Sequence, residues 1–155
     1  MNLSKNFRLE EFIKSDTAAR NNIDNTPRIE QIENLKHLVV NILQPLRDLV
    51  GPIKINSGYR GSALNKFVGG SVGSQHCKGE AADIESASMS TLELARTIRH
   101  NFTFDQLILE FYNPDEGLHS GWVHVSYRKD GKNRQEVLTI YKDHEGKTRS
   151  KEGML

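Results

Sequence analysis

The chain has 155 residues, of which 36% are hydrophobic and 26% are charged. This composition indicates one folded domain with a hydrophobic core, and it excludes a disordered chain. The 21 basic and 20 acidic residues give a net charge of +1, so no overall field favours nucleic acid or an anionic membrane as a partner.

The single cysteine, Cys77, excludes an internal disulfide framework. No apolar stretch reaches the roughly 18 residues of a membrane-spanning helix, and the first residues lack the apolar run of a signal peptide. We therefore expect a monomer that is made in the cytoplasm without a signal peptide. A substrate outside the cell would require release or delivery by other means.

The predicted elements begin with helices. A short helix over residues 8–15 precedes a polar loop, and Thr26-Pro27 is typical of an N-cap followed by the first helical residue. The next helix has an apolar face at helical spacing, made of Ile29, Ile32, Leu35, Leu38, Val39, Ile42 and Leu43. Pro45 is expected to kink or break this helix, and Gly51-Pro52 ends it.

The pattern then changes to strands. These are predicted over residues 53–57, 81–84, 104–112, 121–128 and 136–141, with helices around 63–67 and over 90–100. A turn over 113–117 joins the third and fourth strands. Helices followed by a mostly antiparallel sheet predict an α+β fold over residues 1–142, and the polar segment 143–155 is expected to be a flexible tail.

The segment 74–83, Ser-Gln-His-Cys-Lys-Gly-Glu-Ala-Ala-Asp, carries the most chemistry. If Gly79-Glu80 forms a two-residue turn, His76 and Asp83 face each other across it. Imidazole nitrogen and carboxylate oxygen are zinc ligands. The alternative is a surface histidine and a strand-end aspartate with no shared partner.

A third candidate ligand, His124, lies inside the apolar strand Trp122-Val123-His124-Val125. A lone histidine there is also consistent with a hydrogen-bonded core residue. Together with His76 and Asp83, however, it gives three ligands with an open position, which is the pattern of a catalytic zinc site.

These segments, with Ser57-Gly58-Tyr59-Arg60, resemble the zinc D-alanyl-D-alanine carboxypeptidase family. That family includes related peptidoglycan endopeptidases and shares its fold with the Hedgehog signalling domain. The similarity runs from about residue 7 to 127. It implies a Hedgehog/DD-peptidase-like fold, Zn²⁺ as cofactor and a peptidoglycan peptide as substrate.

The resemblance also implies roles for individual residues. His76, Asp83 and His124 become the metal ligands, and Arg60 and Ser74 contact the substrate, with Arg60 holding its carboxylate.

One position departs from the family pattern. Many members place an acidic general base three residues before the last histidine ligand, where this chain has Gly121. A hairpin centred near Gly117 would place Glu110 opposite His124, which makes Glu110 a candidate base. The alternative is an edge-strand glutamate that faces solvent, and Asp115 and Glu116 are weaker candidates.

Two further residues lie near this motif. His119 is a candidate to stabilise the oxyanion or orient the base, because family members often have a histidine near the ligand. Cys77 is expected to be a buried thiol rather than a ligand or nucleophile.

The predicted function is zinc-dependent hydrolysis of peptidoglycan stem peptides or cross-links, as a carboxypeptidase or an endopeptidase, with a phage-type lysin among the candidates. The alternative from another class is a non-catalytic zinc-containing module that binds cell-wall peptides.

Overall fold

The computed structural model describes residues 1–154. Its helices are α1 (Leu9–Ile13), α2 (Asp16–Arg20), α3 (Ile29–Leu38), a π-helical turn (Val39–Leu43), α4 (Gln44–Val50), α5 (Ser62–Phe67), α6 (Gln75–Lys78) and α7 (Thr91–Asn101). Its strands are β1 (Ile53–Ser57), β2 (Ala81–Ser86), β3 (Gln106–Glu110), β4 (Trp122–Ser126), β5 (Glu136–Lys142) and β6 (Thr148–Glu152). The predicted α+β class is confirmed.

The six strands form one sheet in the order β1-β2-β4-β3-β5-β6. Every neighbouring pair is antiparallel except β3 and β5, which run parallel. This is the mostly antiparallel, Hedgehog/DD-peptidase-like sheet that the sequence predicts. Three of the functional candidates, Asp83, His124 and Glu110, lie on its central strands β2, β4 and β3.

Side chains alternate between the two faces of these central strands. One face packs against α7 and carries the buried apolar side chains of β2, β3 and β4, namely Ala82, Ile84, Leu107, Leu109, Val123 and Val125. Asp83 and His124 alternate with these core residues and therefore point to the opposite face. Hydrophobic burial on one face thus fixes which polar side chains line the other.

The long N-terminal helix differs from its prediction at its start and at Pro45. Thr26 does not cap it, because its hydroxyl and its backbone N–H both donate to the Asp24 carboxylate, at 2.7 and 3.0 Å. The helix instead begins at Ile29. Pro45 does not break the helical path, since a π-helical turn directly precedes α4 and adapts the backbone before the proline. Gly51 ends the helix as predicted, with φ of 91°.

Two elements lie where the sequence indicated only irregular chain. Helix α2 replaces part of the polar loop, and the Ser15 hydroxyl caps it by accepting from the backbone N–H of Ala18. The segment expected to be a flexible tail contains β6, which pairs with β5. Asp143 organises the connecting turn by accepting hydrogen bonds from the backbone N–H groups of Glu145 and Lys147.

Candidate metal centre and active-site cleft

Three side chains from separate elements meet on the polar face of the sheet. Asp83 on β2 is paired in register with His124 on β4, and His76 approaches from α6. The Asp83 carboxylate lies 3.1 Å from Nδ1 of His124 and 3.4 Å from Nε2 of His76. One candidate ligand atom from each of the three lies within 4.8 Å of the others. The structure therefore brings together the three predicted ligands.

A short helix, rather than a hairpin turn, positions His76. The Ser74 hydroxyl caps the start of α6 by accepting from the backbone N–H of His76, and Gly79 ends the helix in the left-handed region with φ of 73°. The predicted turn at Gly79-Glu80 is therefore wrong. Glycine is required at position 79 because a Cβ there would lie 2.4 Å from the carbonyl oxygen of Gln31.

The hydrogen bonding of His76 leaves one nitrogen free for a metal. Its Nδ1 lies 2.7 Å from the carbonyl oxygen of Gly58, which can only accept a hydrogen bond. Nδ1 therefore carries the proton in the neutral ring, and Nε2 presents its lone pair toward Asp83. Such an outer hydrogen bond is the usual way in which a protein fixes the tautomer and ring direction of a ligating histidine.

The electrostatics of Asp83 favour a ligand carboxylate. Burial opposes its ionisation, but the adjacent imidazoles of His124 and His76 outweigh burial and hold the pKa of Asp83 well below its ordinary value. The carboxylate is thus charged at neutral pH, as metal ligation requires. Two imidazoles and one carboxylate form a donor set that zinc accepts, and three protein ligands are the number found in catalytic zinc sites. These residues fit the group that the sequence predicts.

Glu110 lies on the same sheet face, although not at the predicted register. His124 is paired with Ile108, and Glu110 is paired with Trp122, which is two residues further along. The predicted pairing of residue 110 with 124 is therefore wrong. The side-chain period of a strand is two, so the shift leaves Glu110 on the face of His124. It does not face solvent as a free edge residue.

The surroundings of Glu110 suit a general base. Its Oε2 accepts a hydrogen bond of 2.8 Å from the indole N–H of Trp122, which orients the carboxylate. Burial, reinforced by the nearby charge of Asp83, raises the pKa of Glu110 above its ordinary value, against the opposing effect of His124. A raised pKa brings a carboxylate closer to neutral pH, where a general base works best.

Gly121 could not be replaced by an acid in this backbone. Its φ is 65°, and a Cβ would lie only 2.1 Å from the carbonyl oxygen of Glu110. The glycine that departs from the family pattern therefore lets the chain pass close to the end of β3. The same close approach brings β4 alongside Glu110.

An open cleft of about 480 Å³ surrounds this cluster. It is lined by the three candidate ligands, by Glu110, Trp122, Arg60 and Ser74, and by the glycine-rich segment 69–73. The Nε atom of Arg60 is buried and has no hydrogen-bond partner within residues 1–154. Arg60 itself lines the cleft, where a guanidinium suits the binding of a carboxylate.

Other predicted residues lie away from the cluster. His119 is exposed in the loop between β3 and β4 and does not line the cleft, and the same loop holds Asp115 and Glu116. Cys77 is partly buried, and burial raises the pKa of its thiol, so it is not an activated nucleophile. The role predicted for His119 stays a prediction.

A buried carboxylate behind the cleft wall was not predicted from the sequence. Asp105 is 1% exposed and accepts hydrogen bonds from the guanidinium of Arg134 at 3.0 and 2.9 Å and from the side chain of Gln75 at 2.8 Å. Burial opposes its ionisation, but the bonds from Arg134 and Gln75 lower the pKa of Asp105. An aspartate immediately before an apolar strand was the available signal, since a charge there needs a partner.

A buried His–Asp–His cluster beside a glutamate in an open cleft is typical of metal-dependent hydrolases. The family model for peptidase M15 matches residues 5–126, and the chain belongs to this family. The predicted family is thus confirmed.

Among curated proteins, the zinc D-Ala-D-Ala carboxypeptidase of Streptomyces albus G is 36% identical over 87 residues. The match covers 54% of this chain and 32% of the relative, so the chain matches about a third of the relative's length. No helix within residues 1–154 is both long and apolar enough to cross a membrane.

Proposed function

We propose that this protein is a zinc-dependent peptidase that hydrolyses peptide bonds in the stem peptides or cross-links of peptidoglycan. The observation that carries the proposal is the convergence of His76, Asp83 and His124 next to Glu110 on one face of the sheet. The membership of the chain in a peptidase family and its similarity to a zinc D-Ala-D-Ala carboxypeptidase support the substrate class.

Each of the central residues has a distinct role in this proposal. His76, Asp83 and His124 hold the zinc ion, which when bound supplies a Lewis acid that activates water and polarises the scissile carbonyl. Glu110 takes the proton of the attacking water and later delivers it to the leaving amine.

Two residues bind the substrate in this proposal. Arg60, which is charged at any working pH, pairs with a substrate carboxylate through its planar guanidinium. Ser74 contacts the substrate from the cleft wall, and its hydroxyl also caps the start of α6.

The test compares the parent protein with Glu110→Gln, and Glu116→Gln serves as a matched control because Glu116 is exposed outside the cleft. Zinc content is measured by elemental analysis, and cleavage of purified peptidoglycan by mass spectrometry of released peptides. We expect Glu110→Gln to keep its zinc and to cleave at least about 100-fold more slowly, which is the usual contribution of a general base.

Each other outcome has a definite meaning. Undiminished cleavage by Glu110→Gln would remove Glu110 as the base. A zinc-loaded parent that binds peptidoglycan fragments without cleaving them would overturn the peptidase proposal in favour of a non-catalytic binding module. The lysin role stays a prediction, and release of peptides from intact cell walls by added protein would test it.

A further inference from the structure

A second cavity adjoins the cleft on the side away from the metal ligands. It encloses about 620 Å³ between the α1–α2 region and β1. Arg60 lines both this cavity and the cleft, whereas none of the three candidate metal ligands lines the second cavity. Arg60 therefore lies at a junction between two spaces, not at the closed end of one.

The second cavity carries an excess of positive charge. Lys14, Arg20 and Lys54 line it, and within residues 1–154 no carboxylate lies within 4.0 Å of the charged nitrogens of these three residues. Glu11 and Asp16 also line the cavity but do not pair with them. Unpaired cations around a concave surface attract anionic ligands and raise their local concentration.

The position of Arg60 determines which substrates can reach the cationic side chains of the second cavity. A peptide whose terminal carboxylate binds Arg60 ends at the junction and leaves the second cavity empty. An amino acid joined through its side-chain amine keeps a free α-carboxylate. Arg60 can hold that carboxylate while the rest of the chain continues past it into the cationic cavity.

We propose that the cationic cavity binds the leaving-group side of a cross-linked, acidic cell-wall peptide. The protein thus acts on internal bonds as an endopeptidase. This inference rests on the proposed function. Hydrolysis breaks the amide C–N bond, and water supplies a hydroxyl to the acyl carbon and a hydrogen to the leaving amine. The amine product, with its carboxylates, then occupies the cavity that Lys54 and Arg20 line.

The test uses the double variant Arg20→Gln/Lys54→Gln. The control is Lys36→Gln, an exposed lysine on α3 outside either cavity. The substrates are a purified cross-linked peptide dimer and a single stem peptide cleaved before its last residue. We expect the ratio of kcat/KM for the dimer to kcat/KM for the single stem peptide to fall about fivefold in the double variant. The fall is modest because each exposed charge adds little to substrate binding. The control should keep the parent ratio.

A second readout separates this inference from the proposed function. Binding of the uncleaved dimer to metal-free protein is measured by calorimetry, and we expect weaker binding by the double variant than by the parent. A parent that cleaves nothing would contradict the proposed function, yet this binding comparison would still decide the inference. An unchanged ratio together with equal dimer binding by parent and double variant would overturn the cationic cavity as a substrate site.

Discussion

Substitution of Gly121 by alanine should disturb both the fold and the candidate base. The added Cβ would lie 2.1 Å from the carbonyl oxygen of Glu110 and 2.6 Å from the carbonyl carbon of Phe111. Ordinary contact with a Cβ begins at 3.4 Å, so the backbone of β4 must move away from the end of β3. Backbone atoms cannot rotate aside as a flexible side chain can.

The expected cost has two parts. A left-handed φ, here 65°, costs a residue with a Cβ about 1 kcal/mol. Relief of the backbone overlap costs about 2 kcal/mol more, as in overpacked cores. Gly121→Ala should therefore lower the free energy of unfolding by about 3 kcal/mol, which is a large part of the total for a domain of this size.

The assay is urea unfolding followed by circular dichroism, with Gly146→Ala as the matched control. Gly146 also has a left-handed φ, of 78°, but nothing lies within 4 Å of a Cβ built on it. Its substitution should cost only about 1 kcal/mol. If both variants lose the same unfolding free energy, the contact of position 121 with the Glu110 carbonyl oxygen does not explain the loss. Because the displaced atom belongs to Glu110, peptide cleavage by Gly121→Ala should also fall by more than its unfolded fraction explains.

Two further predictions concern charge and metal. Asp105→Asn removes the partner of Arg134 and should lower the free energy of unfolding by about 2 kcal/mol at pH 7. Hydrogen bonds from Arg134 and Gln75 outweigh burial and depress the folded-state pKa of Asp105. The contribution of Asp105 to stability is therefore complete above its ordinary pKa of 3.8. It is lost as the pH falls through the lowered folded-state pKa, so the unfolding free energies of parent and variant, measured in urea, should converge below that pKa. Zinc added to the metal-free parent should raise its melting temperature in scanning fluorimetry, since it binds the folded state, and Asp83→Ala should abolish the increase; an equal increase in that variant would place the metal elsewhere.

Much of the candidate site could be predicted because its residues lie in short sequence motifs. The segment 74–83 places His76 and Asp83 near each other by either a hairpin or a helix that ends at Gly79. The predicted hairpin was wrong, yet the two side chains are close as predicted. Likewise, the predicted pairing of Glu110 was wrong by two residues. A shift of two leaves a side chain on the same face of a strand, whereas a shift of one would have turned it into the core.

Features that depend on distant partners could not be predicted in the same way. The bond between Asp105 and Arg134 joins positions 29 residues apart, and no periodicity connects them. Strand β6 has only exposed side chains and thus no alternation for the sequence to reveal. The parallel pairing of β5 with β3 is likewise set by the sheet as a whole.

We expect one zinc site, formed by His76, Asp83 and His124. Elemental analysis of the purified protein after incubation with zinc and removal of free metal tests it most directly, in parallel with Asp83→Ala and the control Asp115→Ala. We expect one zinc ion per chain for the parent and for Asp115→Ala, and none for Asp83→Ala. A metal-free parent, or zinc retained in full by a folded Asp83→Ala protein, would contradict it.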